Sequence, residues 1–120
     1  MKTRVRCVWR CRDRCLKLGE RTWLAGVLNL TPDSFSDGGR YPDPETALIQ
    51  ARRMLAEGAD LIDLGGESSR PGAEPVPAAE EIRRVLPVLR ALRSETEAPI
   101  SIDTRRAETA EAALASGADI

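Results

Sequence analysis

Three times along this chain a short apolar run gives way to a polar stretch, glycine-bearing in the first two cases, and then to a segment with helical spacing. The runs are Trp23 to Leu28, Asp60 to Leu64 and Pro99 to Ile102, each too short for a helix and suited to a buried strand. The order strand, helix, strand, helix, strand, helix is the mark of parallel α/β architecture, because parallel neighbours need a crossover and a helix is the usual one. A repeat supports it. Glu57-Gly58-Ala59-Asp60 and Ser116-Gly117-Ala118-Asp119 each close a helix and open a strand, and Asp119-Ile120 reads as the start of a fourth strand.

The helices have readable bounds. In the first, Asp43 is the expected N-cap, Pro44 suits the first turn, and Gly58 stops it. Its apolar residues Ala47, Leu48, Ala51, Met54 and Leu55 recur at helical spacing. The second is expected from about Ala78 to Ser94, with Ile82, Val85, Leu86, Leu89 and Leu92 on one face and a kink at Pro87. The third is expected from Arg106 to Ser116 and presents Ala110, Ala113 and Leu114.

The passages after the strands carry the chemistry. Gly26 to Gly39 reads GVLNLTPDSFSDGG. Pro32 excludes the helical conformation for Thr31, and Asp37-Gly38-Gly39 is a turn signature, so this is a loop rich in oxygen acceptors. Its plain alternative is a surface turn whose Asp and Ser side chains bond their own backbone. Asn29, Asp63 and Asp103 each stand at the C-terminal end of a strand. An amide or carboxylate is costly in a core, yet this is the end where (β/α) barrels place their active sites. Singly, Asn29 and Asp63 could tie down turns and Asp103 could cap a helix. Three in succession at one end point to a shared site.

The first 22 residues differ from the rest. They hold eight Lys/Arg against two acids, within a chain whose net charge is −1. Such an arm can contact polyanions, but solvated charges explain it as well, and the total implies no nucleic-acid partner. The arm lacks the serines of an organelle transit segment and the apolar core of a secretory signal. No run approaches the ~18 apolar residues of a membrane span, so a soluble, cytoplasmic protein without membrane partners is expected. That makes Asn29-Leu30-Thr31 a chance glycosylation match. Cys7, Cys11 and Cys15 with no histidine anywhere make a poor zinc set and are expected to be reduced. The arm reads as a β-hairpin, Val8 to Cys11 and Arg14 to Leu18 about a turn at Arg12-Asp13. Such a hairpin could cover the bottom of a barrel, its cysteines on one face.

Two loops resemble a known family. Asn29, Thr31, Asp33, Ser34, Phe35 and Asp37 stand where the first signature of the dihydropteroate synthases has N-x-T-x-D-S-F-x-D. Asp63-Leu64-Gly65-Gly66-Glu67-Ser68-Ser69-Arg70-Pro71-Gly72 is similar to its second, except that Ser69 replaces the usual threonine; Ser101-Ile102-Asp103-Thr104 also matches. The resemblance spans roughly Arg10 to the last residue. It implies a partial (β/α)8 TIM barrel, the first three βα units over residues 23–120, preceded by the arm and β-hairpin of residues 1–22. It implies condensation of 6-hydroxymethyl-7,8-dihydropterin diphosphate with 4-aminobenzoate, giving dihydropteroate and pyrophosphate for folate synthesis, and a site that sulfonamides enter in place of the aminobenzoate. By the same resemblance Asn29 and Asp37 would hold magnesium (Mg2+), and Asp63 and Asp103 the pterin. Phe35, Ser69 and Pro71 would wall the aminobenzoate site, and Thr31 and Arg70 would serve the pyrophosphate or the loop. No covalent nucleophile is implied.

The departure from the family is one of extent. A (β/α)8 barrel takes about 250 residues, and this sequence has 120. The family's fourth-strand asparagine, later aspartate and lysine, and C-terminal arginine and histidine have no counterpart here. Three parallel strands cannot close, and one sheet face should stay uncovered. The expectation is therefore an N-terminal portion unable to catalyse alone, from a protein that is homodimeric at full length. The alternatives are another pterin-binding methyltransferase barrel and a non-catalytic relative acting by association.

Overall fold

A computed structural model describes residues 3–31, 43–68 and 71–120. The chain begins with an antiparallel hairpin, β1 (Cys7–Cys11) and β2 (Arg14–Leu18). Arg12, at the turn, adopts a positive φ of 52°. Three parallel strands follow: β3 (Ala25–Asn29), β4 (Leu61–Gly65) and β5 (Ile100–Asp103), adjacent in that order. Helices α1 (Pro44–Ala56), α2 (Ala78–Glu95) and α3 (Ala107–Ala115) alternate with them. Each strand begins and ends one or two residues later than the sequence pattern suggests, which brings Asn29 and Asp103 inside their strands as the last residues.

Register and alternation divide the sheet into two faces. Leu28, Leu64 and Ile102 form one row, and Ile62 pairs with Ile100 in another on the same side. Leu28, Ile62, Leu64 and Ile100 are buried there with Val85, Val88, Leu89 and Leu92 of α2 and Ala47, Leu48 and Ala51 of α1. Each fully buried aliphatic side chain contributes about 1.5–3 kcal/mol, so this single layer carries most of the cohesion. The other face holds Val27, Asp63 and Ser101 in one row and Asn29, Gly65 and Asp103 in the next. It stays open, as expected of an unclosed parallel sheet: Val27 is 54% exposed.

Ile120 lies beside β5. Its N–H reaches the Ile100 carbonyl and its own carbonyl accepts from the Ile102 N–H, the pattern of a parallel neighbour. The hairpin sits at the opposite end of the sheet from Asp103. Arg12 donates to the carbonyls of Leu114 and Ala118, serving the C-terminal turn of α3, and Arg14 pairs with Asp119 at 2.9 Å. Asp119 also pairs with Arg93 and accepts from the Ile100 N–H. These bonds hold the hairpin under the N-terminal ends of the strands.

Several local expectations are corrected. The cysteines do not share a face: Cys11 is buried on one side with Leu16, whereas Cys15 pairs with Arg10 on the other. Cross-strand partners project together and neighbours along a strand alternate, so spacing by four across a turn does not preserve a face. In α2 the buried set is Glu81, Val85, Val88, Leu89 and Leu92, with Ile82 and Leu86 at its margins. Pro87 lies inside α2, where its exposed position lets solvent meet the carbonyl left without an N–H, so the helix continues to Glu95 as the expected kink also allows. In α3 the buried residues are Thr109 and Ala113, while Leu114 is 38% exposed.

Candidate functional site

The C-terminal ends of β3, β4 and β5 lie side by side, because the strands are parallel and in register: Asn29 pairs with Gly65, and Gly65 with Asp103. Gly65 has no side chain, so a gap opens between its neighbours. A Cβ built on Gly65 would stand 3.7 Å from Asn29 Oδ1 and 3.8 Å from Asp103 Oδ2. The two side chains therefore converge on one spot above the sheet. Asn29 and Asp103 are exposed and their side chains make no hydrogen bond to other described residues, so their side-chain oxygens are available to a ligand.

One pleat deeper, Asp63 is partly buried and accepts a 2.5 Å bond from the Ser101 hydroxyl, leaving its second oxygen free of a bond to the described residues. Burial pushes the Asp63 carboxyl above its ordinary value and the nearby Asp103 charge adds to this, while the Ser101 bond works against both. Asn29, Asp63 and Asp103 thus share one face and one rim. The simpler explanations for the carboxylates fail. Asp63 bonds the neighbouring strand rather than a turn, and Asp103 does not cap α3, whose N-cap is Arg106. Thr104 instead accepts from the Arg106 N–H.

The remaining sequence candidates divide. Phe35, Asp37, Ser69 and Arg70 lie outside the described residues. Pro71 is exposed at the start of a turn. Thr31 is 5% exposed and lines a cavity of about 390 Å³ with Ser68, Val76 and Arg84, between the second loop and α2. Ser101 is a functional candidate that strand patterning alone did not reveal, since its bond to Asp63 depends on register. Glu67, Arg105 and Arg106 were likewise invisible as a group: they border a cavity of about 190 Å³ beside Asp103 and pair across it.

A hard cation suits the mouth of the site in one respect. Asn29 Oδ1 and Asp103 Oδ2 are oxygen donors facing open space. Among the described residues no three His, Cys, Asp or Glu gather as a metal cluster, so further ligands would have to come from outside them.

Fold and site together define a segment of a (β/α)8 barrel with an amide and two carboxylates on its C-terminal rim. The family model described as "Pterin binding enzyme" matches residues 25–120, and the chain belongs to that family. It is 55% identical over 102 residues to the dihydropteroate synthase of Synechocystis, covering 85% of this chain and 35% of that protein. Among solved structures it is similar to the Xanthomonas albilineans dihydropteroate synthase with 4-aminobenzoic acid, with a TM-score of 0.85 and 47% identity, covering 96% of this chain and 42% of that one. A Yersinia pestis dihydropteroate synthase in a sulfonamide complex gives a TM-score of 0.83 and 45% identity, covering 93% and 40%. The chain thus spans little more than a third of the curated relative and two fifths of the solved ones. Among the described residues no helix is long and apolar enough to cross a membrane.

Proposed function

We propose that this chain supplies part of the substrate site of a dihydropteroate synthase, which joins 6-hydroxymethyl-7,8-dihydropterin diphosphate to 4-aminobenzoate and releases pyrophosphate. The observation that carries the reading is the convergence of Asn29 and Asp103 over Gly65, with Asp63 beneath them. The pterin ring is edged with N–H donors, and Asp63 and Asp103 offer carboxylate acceptors at two depths. The Ser101 hydroxyl occupies one Asp63 oxygen and so fixes the direction of the other.

Cleavage of the C–O bond leaves positive charge on the pterin methylene and negative charge on the departing diphosphate. Two carboxylates beside the ring stabilise the first by field alone. Magnesium, held by Asn29 and by Asp37 of the first loop, would neutralise the second. Arg70, with Thr31, serves the diphosphate or its loop, and Phe35, Ser69 and Pro71 border the aminobenzoate. Sulfonamides would compete there. The amine of 4-aminobenzoate is the nucleophile, so the protein's work is to orient the reactants and exclude water. No cysteine takes part. Cys11 belongs to the hairpin beneath the other end of the strands. The whole protein is a cytoplasmic homodimer in this reading.

The test is calorimetric titration of the chain with the dihydropterin diphosphate and magnesium. Saturable binding is expected, weakened at least tenfold in D103A and in N29A. Absence of saturable heat, or the same affinity in both variants, overturns the assignment.

A further inference from the structure

The second rim loop runs from Glu67 to Val76 and is closed at its base by one side chain. Glu67 Oε2 accepts from the Val76 N–H at 3.1 Å, and the same carboxylate meets two arginines that follow β5. Arg105 Nε lies 3.1 Å from Oε1, and Arg106 pairs with Oε2. Arg106 is in turn held from behind: its Nη1 is 3.5 Å from Oε2 of Glu81, a residue of α2 that is 1% exposed. Thr109 of α3 donates to the same Glu81 oxygen at 2.9 Å. The other oxygen, Glu81 Oε1, is buried without a partner among the described residues. A carboxylate that deep, half satisfied, is costly unless it serves its neighbour. Its neighbour is the arginine that grips Glu67.

We propose that Glu67 is a positioning residue that clasps the second rim loop onto the end of β5, with Glu81 and Thr109 setting the arginine against which it closes. The geometry favours this over a scattered surface ion pair. Glu67 follows Gly65-Gly66, and Arg105 and Arg106 follow Asp103-Thr104, so the clasp joins the two strand ends just beyond their last ladder bonds. It fixes the mouth beside Asp103 without touching the ligand space over Gly65. The inference goes beyond the reaction assigned above and would hold for any ligand at this rim.

The charge environment gives the clasp a signature. Arg106 first and the Val76 N–H second hold the Glu67 carboxyl below its ordinary 4.5, with Arg105 adding to them. The charged groups around Glu67 are these two arginines and, lining the same cavity, Asp103 at the end of β5 and Glu81 from α2. A depressed carboxylate stabilises the closed state above its ordinary value and ceases to do so as pH falls through the lowered one.

Native-state hydrogen exchange on the whole chain tests this without substrate. The amide of Val76 should exchange about tenfold faster in E67A, while Ile62 and Leu89 keep their protection. E67Q retains a carbonyl for Val76 and should fall between. In wild type, protection at Val76 relative to Ile62 should decline on acidification below 4.5, and in E67Q that ratio should be flat. R106Q should match E67Q, and the double variant should be no worse than either. Unchanged exchange at Val76 in E67A, a parallel loss at Ile62 and Leu89, additive single effects, or failure of both E67A and E67Q to fold would each show that Glu67 serves the core at large and not the loop.

Discussion

Adjacent glycines at the end of β4 should respond oppositely to one added methyl. Gly66 packs on α2: a Cβ there would stand 2.9 Å from Val85 Cγ2 and 3.1 Å from Glu81 Cγ. Val85 is fully buried and cannot retreat into solvent. Overpacking of this kind costs about 1–3 kcal/mol, so G66A should lower the melting temperature by about 4 °C for each kcal/mol. At Gly65 the nearest atoms to such a Cβ are 3.7 Å away, which is ordinary contact, and φ is not in the left-handed region. Loss of glycine's freedom in the unfolded chain would offset the partial desolvation of Asn29 and Asp103, leaving G65A within about 1 kcal/mol of wild type.

Ligand binding should invert that order. The new methyl of G65A occupies the space on which Asn29 and Asp103 converge, whereas G66A leaves it open. The assay is thermal unfolding with and without the dihydropterin diphosphate and magnesium. A ligand at a hundred times its dissociation constant stabilises by about 2.7 kcal/mol. Wild type and G66A should show that shift, and G65A should lose most of it. If G65A melts as low as G66A, or keeps the full ligand shift, the placement of the site above Gly65 is wrong.

D63N tests the buried carboxylate. Because the Asp63 carboxyl is raised in the folded state, ionising it costs stability as pH climbs through the window above 3.8. The variant should therefore be more stable than wild type at neutral pH, equal to it in acid, and deficient in pterin binding; urea titrations across pH measure all but the last. D119A tests the hairpin anchor. Burial would raise the Asp119 carboxyl, but the Ile100 N–H, Arg14 and Arg93 outweigh it and hold it below 3.8. Its contribution is present above that value and fades as pH falls below it, so D119A should cost about 2–3 kcal/mol at pH 7 and expose hairpin amides to exchange. Thiol titration should find Cys7 and Cys15 reacting at once and Cys11 only on unfolding, since burial, Asp119 and Cys15 all push its thiol above 9.0.

Much of this was legible because local and global signals agree. Asp43 caps α1 by accepting from the Thr46 N–H at 2.7 Å, as its place before Pro44 suggests. The run Leu61 to Gly65 contains one aspartate among apolar residues, and alternation alone says that Asp63 faces away from Ile62 and Leu64. What escaped depends on pairing between distant segments. The Ser101–Asp63 bond spans 38 residues and the Glu67–Arg106 pair 39, and no periodicity in either segment announces the other. Glu81 escaped for a different reason. A glutamate in the first turn of a helix reads as a solvated favourable charge, yet here it is buried on the core face and answered by Arg106 and Thr109.

The two faces of the sheet explain why a site arises where it does. The side that meets the helices must be apolar, since every polar group there would need a partner in a dry layer. Leu28, Ile62, Leu64 and Ile100 satisfy that demand. The opposite side is relieved of it at the C-terminal edge, where each strand passes into its loop and carbonyl partners run out. Asn29, Gly65 and Asp103 occupy that last row, and Asp63 stands only one pleat below, paired with a hydroxyl rather than a cation. A lysine in the place of Ser101, which is 8% exposed, would answer the Asp63 charge only by burying a second one and overfilling the site. The polar row is therefore the part of the sheet least useful for folding, and its side chains are free to be chosen by the ligand.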